Sequence, residues 1–126
     1  PGFKKILEDH YNPIIERIRA IEKPIIAAVN GVAAGAGANI ALACDIVVAS
    51  EKASFIQAFS KIGLVPDSAG SFFLPRLIGF QKASALMLLG DKVSAAQAQD
   101  LGMIYKVFDP ETFYQEVHSL ALHMAQ

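Results

Sequence analysis

The sequence predicts an α/β domain with parallel strands, and three observations lead there. Two short, β-branched apolar runs, residues 25–29 and 46–49, read as buried strands. A glycine–alanine turn at residues 31–37 follows the first run and opens into a small-residue helix over 38–44. Segments with helical apolar spacing flank this centre on both sides.

The elements follow in order. Over residues 3–21, apolar residues at Ile6, Leu7, Tyr11, Ile14, Ile15 and Ile18 are separated by charges, and Pro13 is expected to bend or divide that helix. After the strand at 46–49, residues 54–57 form a third short extended piece. A turn then leads into the string GLVPDSAG. Residues 71–74 are helical until Pro75 interrupts them. Residues 80–89 form a helix that Gly90 ends, and Ser94 caps another that Gly102 ends. Residues 103–108 are extended, and Pro110 opens a final helix. No repeat and no linker is visible, so the chain reads as one unit over residues 1–126.

Composition removes several function classes. With 53% hydrophobic and 18% charged residues the chain is neither disordered nor suited to nucleic acid, and its net charge is −1 without a basic cluster. The single cysteine, Cys44, has no disulfide partner and no ligand-spaced companions; it reads as a small buried residue in a reducing compartment. Residues 24–44 carry no charge and are long enough to span a bilayer, but glycine, alanine and two asparagines favour a buried strand, turn and helix. The chain opens on Pro1-Gly2-Phe3 with neither an initiator methionine nor a basic-then-apolar leader, which reads as no secretory signal and a chain cut from a longer one.

Two stretches carry chemistry. In VNGVAAGAGANIALACD, Gly35-Ala36-Gly37 lacks the third glycine of a dinucleotide fingerprint, and no Lys-Ser/Thr pair follows for a phosphate loop. The N–H groups of Ala36, Gly37 and Ala38 nevertheless sit at a helix start, unpaired within the helix and in positive potential. That arrangement serves either as an oxyanion hole or as tight helix-on-strand packing. In GLVPDSAGSFFLPR, Asp67 stands among apolar and small residues with no basic residue nearer downstream than Arg76. It either caps the helix starting at Ser68 or performs proton chemistry in an apolar pocket.

Other residues give weaker signals. Asp45 reads as satisfying a strand end. His10, His118 and His123 lack the spacing of metal ligands, and Ser68 and Ser71 have no histidine nearby. Arg76 reads as structural. Phe55, Phe59, Phe72 and Phe73 divide between an acyl or aryl pocket and ordinary core packing.

Together, KPIIAAVNGVAAGAGANIALACDIVVASEKASF, GLVPDSAGSFFLPRLIG and GDKVSAAQAQDLGMIYKVF resemble the enoyl-CoA hydratase/isomerase, or crotonase, family over residues 23–108. The resemblance implies a spiral of ββα units, of which this chain is the central part, and a trimer or dimer of trimers. It implies a coenzyme A thioester as substrate, with no further cofactor, no metal, no nucleic-acid or membrane partner, and a cytoplasmic setting. It places one enolate-stabilising N–H at Ala36; the other belongs to a segment before Pro1. Gly35, Gly37, Asn39 and Phe59 fall in the substrate pocket. Asn39 and Phe59 match the two glutamates of the family's hydratases, and neither replacement does acid–base work, which disfavours hydration.

The family's dienoyl-CoA isomerases carry a glutamate at the Phe59 position. Its aryl-CoA dehalogenases carry a tryptophan there, and this sequence has none. The resemblance leaves a subgroup with one carboxylate at the Asp67 position and an apolar residue at Phe59: ring-1,2-epoxyphenylacetyl-CoA isomerases and peroxisome-type Δ3,Δ2-enoyl-CoA isomerases. The string IQAFSKIGLVPDSAG is very similar to the pattern of the former, which implies Asp67 as the single base. The two roles of Asp67 conflict, because backbone N–H bonds favour the ionised carboxylate and weaken it as a base. A hydratase and a non-catalytic scaffold of the same fold remain the alternatives.

Overall fold

The computed structural model describes residues 2–57 and 70–126. The chain begins with α1 (Phe3–Ile6), a π-helical turn at Leu7–Tyr11, and α2 (Asn12–Ala20). Pro13 sits in the first turn of α2, where its missing N–H is not needed; the widened π turn lies immediately before it. The expected division at Pro13 is therefore present. Ile15 is the buried anchor of α2.

Strand β1 (Ile26–Val29) runs through a short corner at Asn30-Gly31 into β2 (Val32–Ala34), and α3 (Ala36–Leu42) follows. The chain then repeats the motif with β3 (Ile46–Ser50) and β4 (Ser54–Ile56). β1 lies parallel to β3, with Ile26 opposite Ile46, and β2 lies parallel to β4, with Val32 opposite Ser54. The Gly31 carbonyl accepts from Ser54 N–H at 3.2 Å, tying one corner onto the next. Two windings of a bent-strand pair are thus stacked, a repetition that the sequence does not display.

Helices α4 (Gly70–Ile78) and α5 (Phe80–Leu89) pack on each other, and α4 packs on α3. Strand β5 (Lys92–Ser94) joins β4 antiparallel, α6 (Ala95–Leu101) crosses back, and β6 (Lys106–Phe108) joins β3 in parallel. A 3₁₀ turn at Pro110–Thr112 leads into α7 (Phe113–Met124), anchored by the buried Phe113. The sheets have orders β1-β3-β6 and β2-β4-β5.

Four expectations need correction. The stretch read as a turn over 31–37 contains β2, whose Ala33 is buried while Val32 and Ala34 face outward. The strand partners are not all parallel, since β4–β5 is antiparallel. Pro75 lies inside α4 without ending it: the Pro75 carbonyl still accepts from Gly79 N–H at 2.9 Å, and the fully buried Leu74 holds the helix to the core. Of residues 103–108, Tyr105 donates its N–H to Val47 O at 2.8 Å and β6 continues along β3, whereas Met103 and Ile104 are not extended on the sheet but plug the core after the left-handed Gly102.

Helix ends follow the sequence more closely. Gly90 closes α5 in the left-handed region. Ser94 and Gln97 form a reciprocal capping box, with Gln97 N–H on Ser94 Oγ at 3.1 Å and Ser94 N–H on Gln97 Oε1 at 2.9 Å. The core between the sheets and α3–α6 is rich in alanine, including Ala38, Ala83, Ala95 and Ala98, each fully buried. Small side chains let the helices lie close on the strands, and Phe55, Leu74 and Met103 fill the remaining volume.

Candidate active site

The site begins where β2 gives way to α3. Gly35 has φ 55 and ψ −120, a conformation closed to residues with a Cβ. Its N–H donates to Ile56 O at 2.8 Å and its carbonyl accepts from Asn39 N–H at 3.2 Å. One glycine therefore closes the β2–β4 ladder and starts the helix. The chain turns so that Ala36, Gly37 and Ala38 present the first N–H groups of α3, which have no acceptor within the helix.

The surroundings leave room for a visitor. Gly35 and Ala36 are half-buried and Gly37 is exposed, and a Cβ built on Gly37 meets nothing within 4 Å. Among the described residues, packing does not demand a glycine there. Gly37→Ala is expected to keep or slightly raise stability, by up to about 1 kcal/mol, because alanine is the better helix former. It should weaken acyl-CoA binding about tenfold if the ligand passes over this backbone. Thermal unfolding and a thioester titration of the full-length protein read the two effects separately, and unchanged binding would remove Gly37 from the pocket.

Asn39, three residues after Ala36, is fully buried. Its Oδ1 accepts from Gln57 Nε2 at 2.8 Å in a buried side-chain pair. Gln57 follows the last residue of β4 and turns its amide inward, 5% exposed, so that the end of β4 meets the first turn of α3 through these two amides. The sequence reading did not single out Gln57; a polar residue ending a buried strand next to an apolar run was the available signal.

Asp67 and Phe59, like Ser68, lie outside the described residues, between the end of β4 and the start of α4. The other sequence candidates are placed. Asp45 does satisfy a strand end: its Oδ2 accepts from Ile25 N–H at 2.8 Å, and Oδ1 lies 3.3 Å from Arg19 Nη1, which also donates to Ala43 O at 3.0 Å. One carboxylate thereby fastens α2 and the end of α3 to the start of β1.

Cys44 is half-buried with its Sγ 3.5 Å from Ile40 O. Burial, and secondarily the Asp45 carboxylate, push its thiol up, against a smaller opposing effect of Arg19. The thiol thus stays protonated near neutral pH and is a poor nucleophile.

Phe55 is core. Phe72 is exposed and carries the Arg76 guanidinium 3.6 Å above its ring, with Arg76 Nη1 donating to Phe72 O at 2.7 Å; Arg76 is structural, as expected. Phe73 meets Phe72 edge-on at 5.1 Å. No group of three or more metal-ligating side chains occurs among the described residues, and no helix there is long and apolar enough to cross a membrane. The uncharged stretch over 24–44 is divided among β1, β2 and α3.

A bent strand, a glycine with positive φ and a helix start that offers backbone N–H groups can hold an oxyanion. The comparisons point the same way. The family model described as enoyl-CoA hydratase/isomerase matches residues 1–126. The chain is 49% identical over 125 residues to the "1,2-epoxyphenylacetyl-CoA isomerase" of Escherichia coli (strain K12), covering 99% of this chain and 48% of that protein. It is 40% identical over 125 residues to a "probable enoyl-CoA hydratase" of Rhodobacter capsulatus, covering 99% of this chain and 49% of that protein. The chain therefore spans about half the length of the curated relatives it matches.

Among solved structures, an enoyl-CoA hydratase from Mycobacterium avium subsp. paratuberculosis superposes with a TM-score of 0.93 at 37% identity, over 98% of this chain and 50% of that one. A second, an enoyl-CoA hydratase/isomerase from Mycobacterium abscessus, gives 0.92 at 41% identity, over 97% and 47%. The stacked windings of bent strands followed by helices are part of the crotonase fold, and the chain belongs to the enoyl-CoA hydratase/isomerase family.

Proposed function

We propose that the protein containing this chain is an acyl-CoA isomerase, which shifts a double bond or isomerises an aryl epoxide thioester. It does so by proton transfer at Asp67 over an enolate held at the Ala36 N–H. The observation that carries this reading is Asn39. By resemblance it occupies the position of a catalytic glutamate in the family's hydratases, yet it is an amide whose carbonyl already accepts from Gln57. It takes no proton at neutral pH.

Adding water across a double bond calls for one group to activate water and one to deliver a proton. Moving a double bond calls for one carboxylate, which removes a proton from one carbon and returns it to another. The identity to the Escherichia coli protein named as an epoxyphenylacetyl-CoA isomerase supports the same choice. The substrate carries coenzyme A itself, so no separate cofactor enters the reaction. A cytoplasmic homotrimer or dimer of trimers, acting in fatty-acid or phenylacetate breakdown, completes the proposal.

The second reading, a hydratase, is favoured by the 40% identity to the Rhodobacter capsulatus protein. Ultraviolet absorbance separates the two. An isomerase given a 3-enoyl-CoA gains the absorbance of the conjugated 2-enoyl thioester, whereas a hydratase given a 2-enoyl-CoA loses it. The expected result for the full-length protein is gain in the first assay and negligible loss in the second. The reverse pattern would make it a hydratase, and neither turnover nor thioester binding would leave a scaffold.

A further inference from the structure

Helix α3 has no side-chain cap at its start and no basic residue in its last turn. Its 7 residues are too few to hold a helix by propensity alone, so its ends depend on the rest of the fold. The first N–H groups have to stay open if Ala36 is to meet a ligand oxygen, which leaves the far end as the place to fasten the helix. Arg19, from the last turn of α2, fastens it there. Its Nη1 donates at 3.0 Å to the carbonyl of Ala43, the residue that closes α3, and lies 3.3 Å from Asp45 Oδ1. A cation at that point also meets the negative end of the helix dipole. The guanidinium carbon stands 5.8 Å from the centre of the Phe73 ring on α4. Helix α4 packs on α3 and begins at Gly70, soon after Asp67 in the sequence. One side chain therefore touches both the helix that starts with the oxyanion donor and the helix that follows the base.

We propose that Arg19 is a positioning residue, which sets the Ala36 N–H by anchoring the opposite end of α3. The buried Ala38 and Leu42 press the helix against its neighbours β1, β2 and α4. Small apolar contacts resist sliding along the helix axis weakly, whereas a hydrogen bond to the closing carbonyl resists it directly. A shift of about 1 Å at a reacting group costs on the order of 10²-fold in rate, so even a partial loss of that anchor is measurable. The inference rests on the reading above in which Ala36 holds the enolate.

Three variants of the full-length protein test it. Arg19→Met keeps most of the side-chain length but removes the donor and the charge; it should lower kcat about tenfold and leave KM within about threefold. Arg19→Lys should bring the rate back to within about threefold of the wild type, because one nitrogen makes both contacts and an ammonium can replace it. Asp45→Asn keeps an acceptor for Ile25 N–H and leaves the Ala43 contact in place, so it should change the rate by less than about twofold. A loss in Asp45→Asn as large as in Arg19→Met would assign the effect to the ion pair and overturn the helix anchor. Full activity of Arg19→Met, or no rescue by lysine, would overturn it as well.

A readout without turnover separates this role from general loosening and from the isomerase reading. The carbonyl stretch of a bound saturated acyl-CoA, isotope-labelled at that carbon, falls in frequency as N–H groups polarise the oxygen. Infrared difference spectra taken well below the unfolding temperature should show a smaller fall in Arg19→Met than in the wild type, and Arg19→Lys should recover it. An unchanged fall alongside a lower kcat would mean that Arg19 does not act through Ala36. The measurement needs binding alone, so the expected pattern in a protein that isomerises no thioester would sink the isomerase reading while the positioning role stands. Normal spectra and rates in Arg19→Met would sink the positioning role alone. A wild type that binds the thioester with no fall in frequency would remove Ala36 as a donor, and the role of Arg19 with it.

Discussion

Asp67→Asn in the full-length protein is expected to cut the conversion of 3-enoyl-CoA to 2-enoyl-CoA by about 10²–10⁴-fold in kcat, the usual contribution of a positioned general base. Asparagine is the informative replacement because it caps a helix as well as aspartate does. A cap that only holds the following helix would survive the change, and so would activity and stability. A base would not, since an amide accepts no proton at neutral pH. Turnover followed by ultraviolet absorbance, with thermal unfolding on the same samples, therefore separates the two roles of Asp67. Equal rates in a folded variant would return it to capping and leave the reaction without its carboxylate.

Gly35→Val should have the next largest effect, and it acts through the backbone. At φ 55 and ψ −120 a β-branched side chain is strained, at a cost of about 1–3 kcal/mol. The chain can relieve that strain only by rotating Gly35, which breaks its N–H bond to Ile56 O or its carbonyl bond from Asn39 N–H. Either shift moves the Ala36 N–H from where an enolate oxygen would meet it, and loss of one such donor costs about 10²–10³-fold in kcat. Single-turnover rates and denaturant unfolding of the full-length variant check both parts. A variant that loses stability but keeps its rate would show that Ala36 does not hold the oxyanion.

The elements legible in the sequence are those whose signals are local. Strands β1 and β3 are runs of apolar, partly β-branched residues long enough to be read alone. The ends of α5 and α6 are written in Gly90, Ser94 and Gly102, because left-handed closure and side-chain capping depend only on neighbouring residues. The role of Asp45 was legible too, from its place between a helix and a strand. Family membership was readable because the motifs are long and ordered.

The elements that were not legible are set by distant partners. Val32-Ala33-Ala34 carries no strand signal against its glycine flanks, and it is a strand because β4 lies alongside it in register. The three residues of β5 are a strand for the same reason. Pro75 has every local mark of a helix end, but the buried Leu74 and the packing of α4 between α3 and α5 outweigh one missing hydrogen bond.

The same division runs through the site. By itself the sequence determined the glycine turn and the helix that follows it, and the family resemblance implied that Asn39 falls at the position of a hydratase glutamate. It could not show that Gln57, eighteen residues farther on, reaches back to take the Asn39 carbonyl. That pairing exists only because two short strands wind side by side and end at one level. Hydrogen bonding between distant side chains is a property of the packed fold and leaves no periodic trace along the chain.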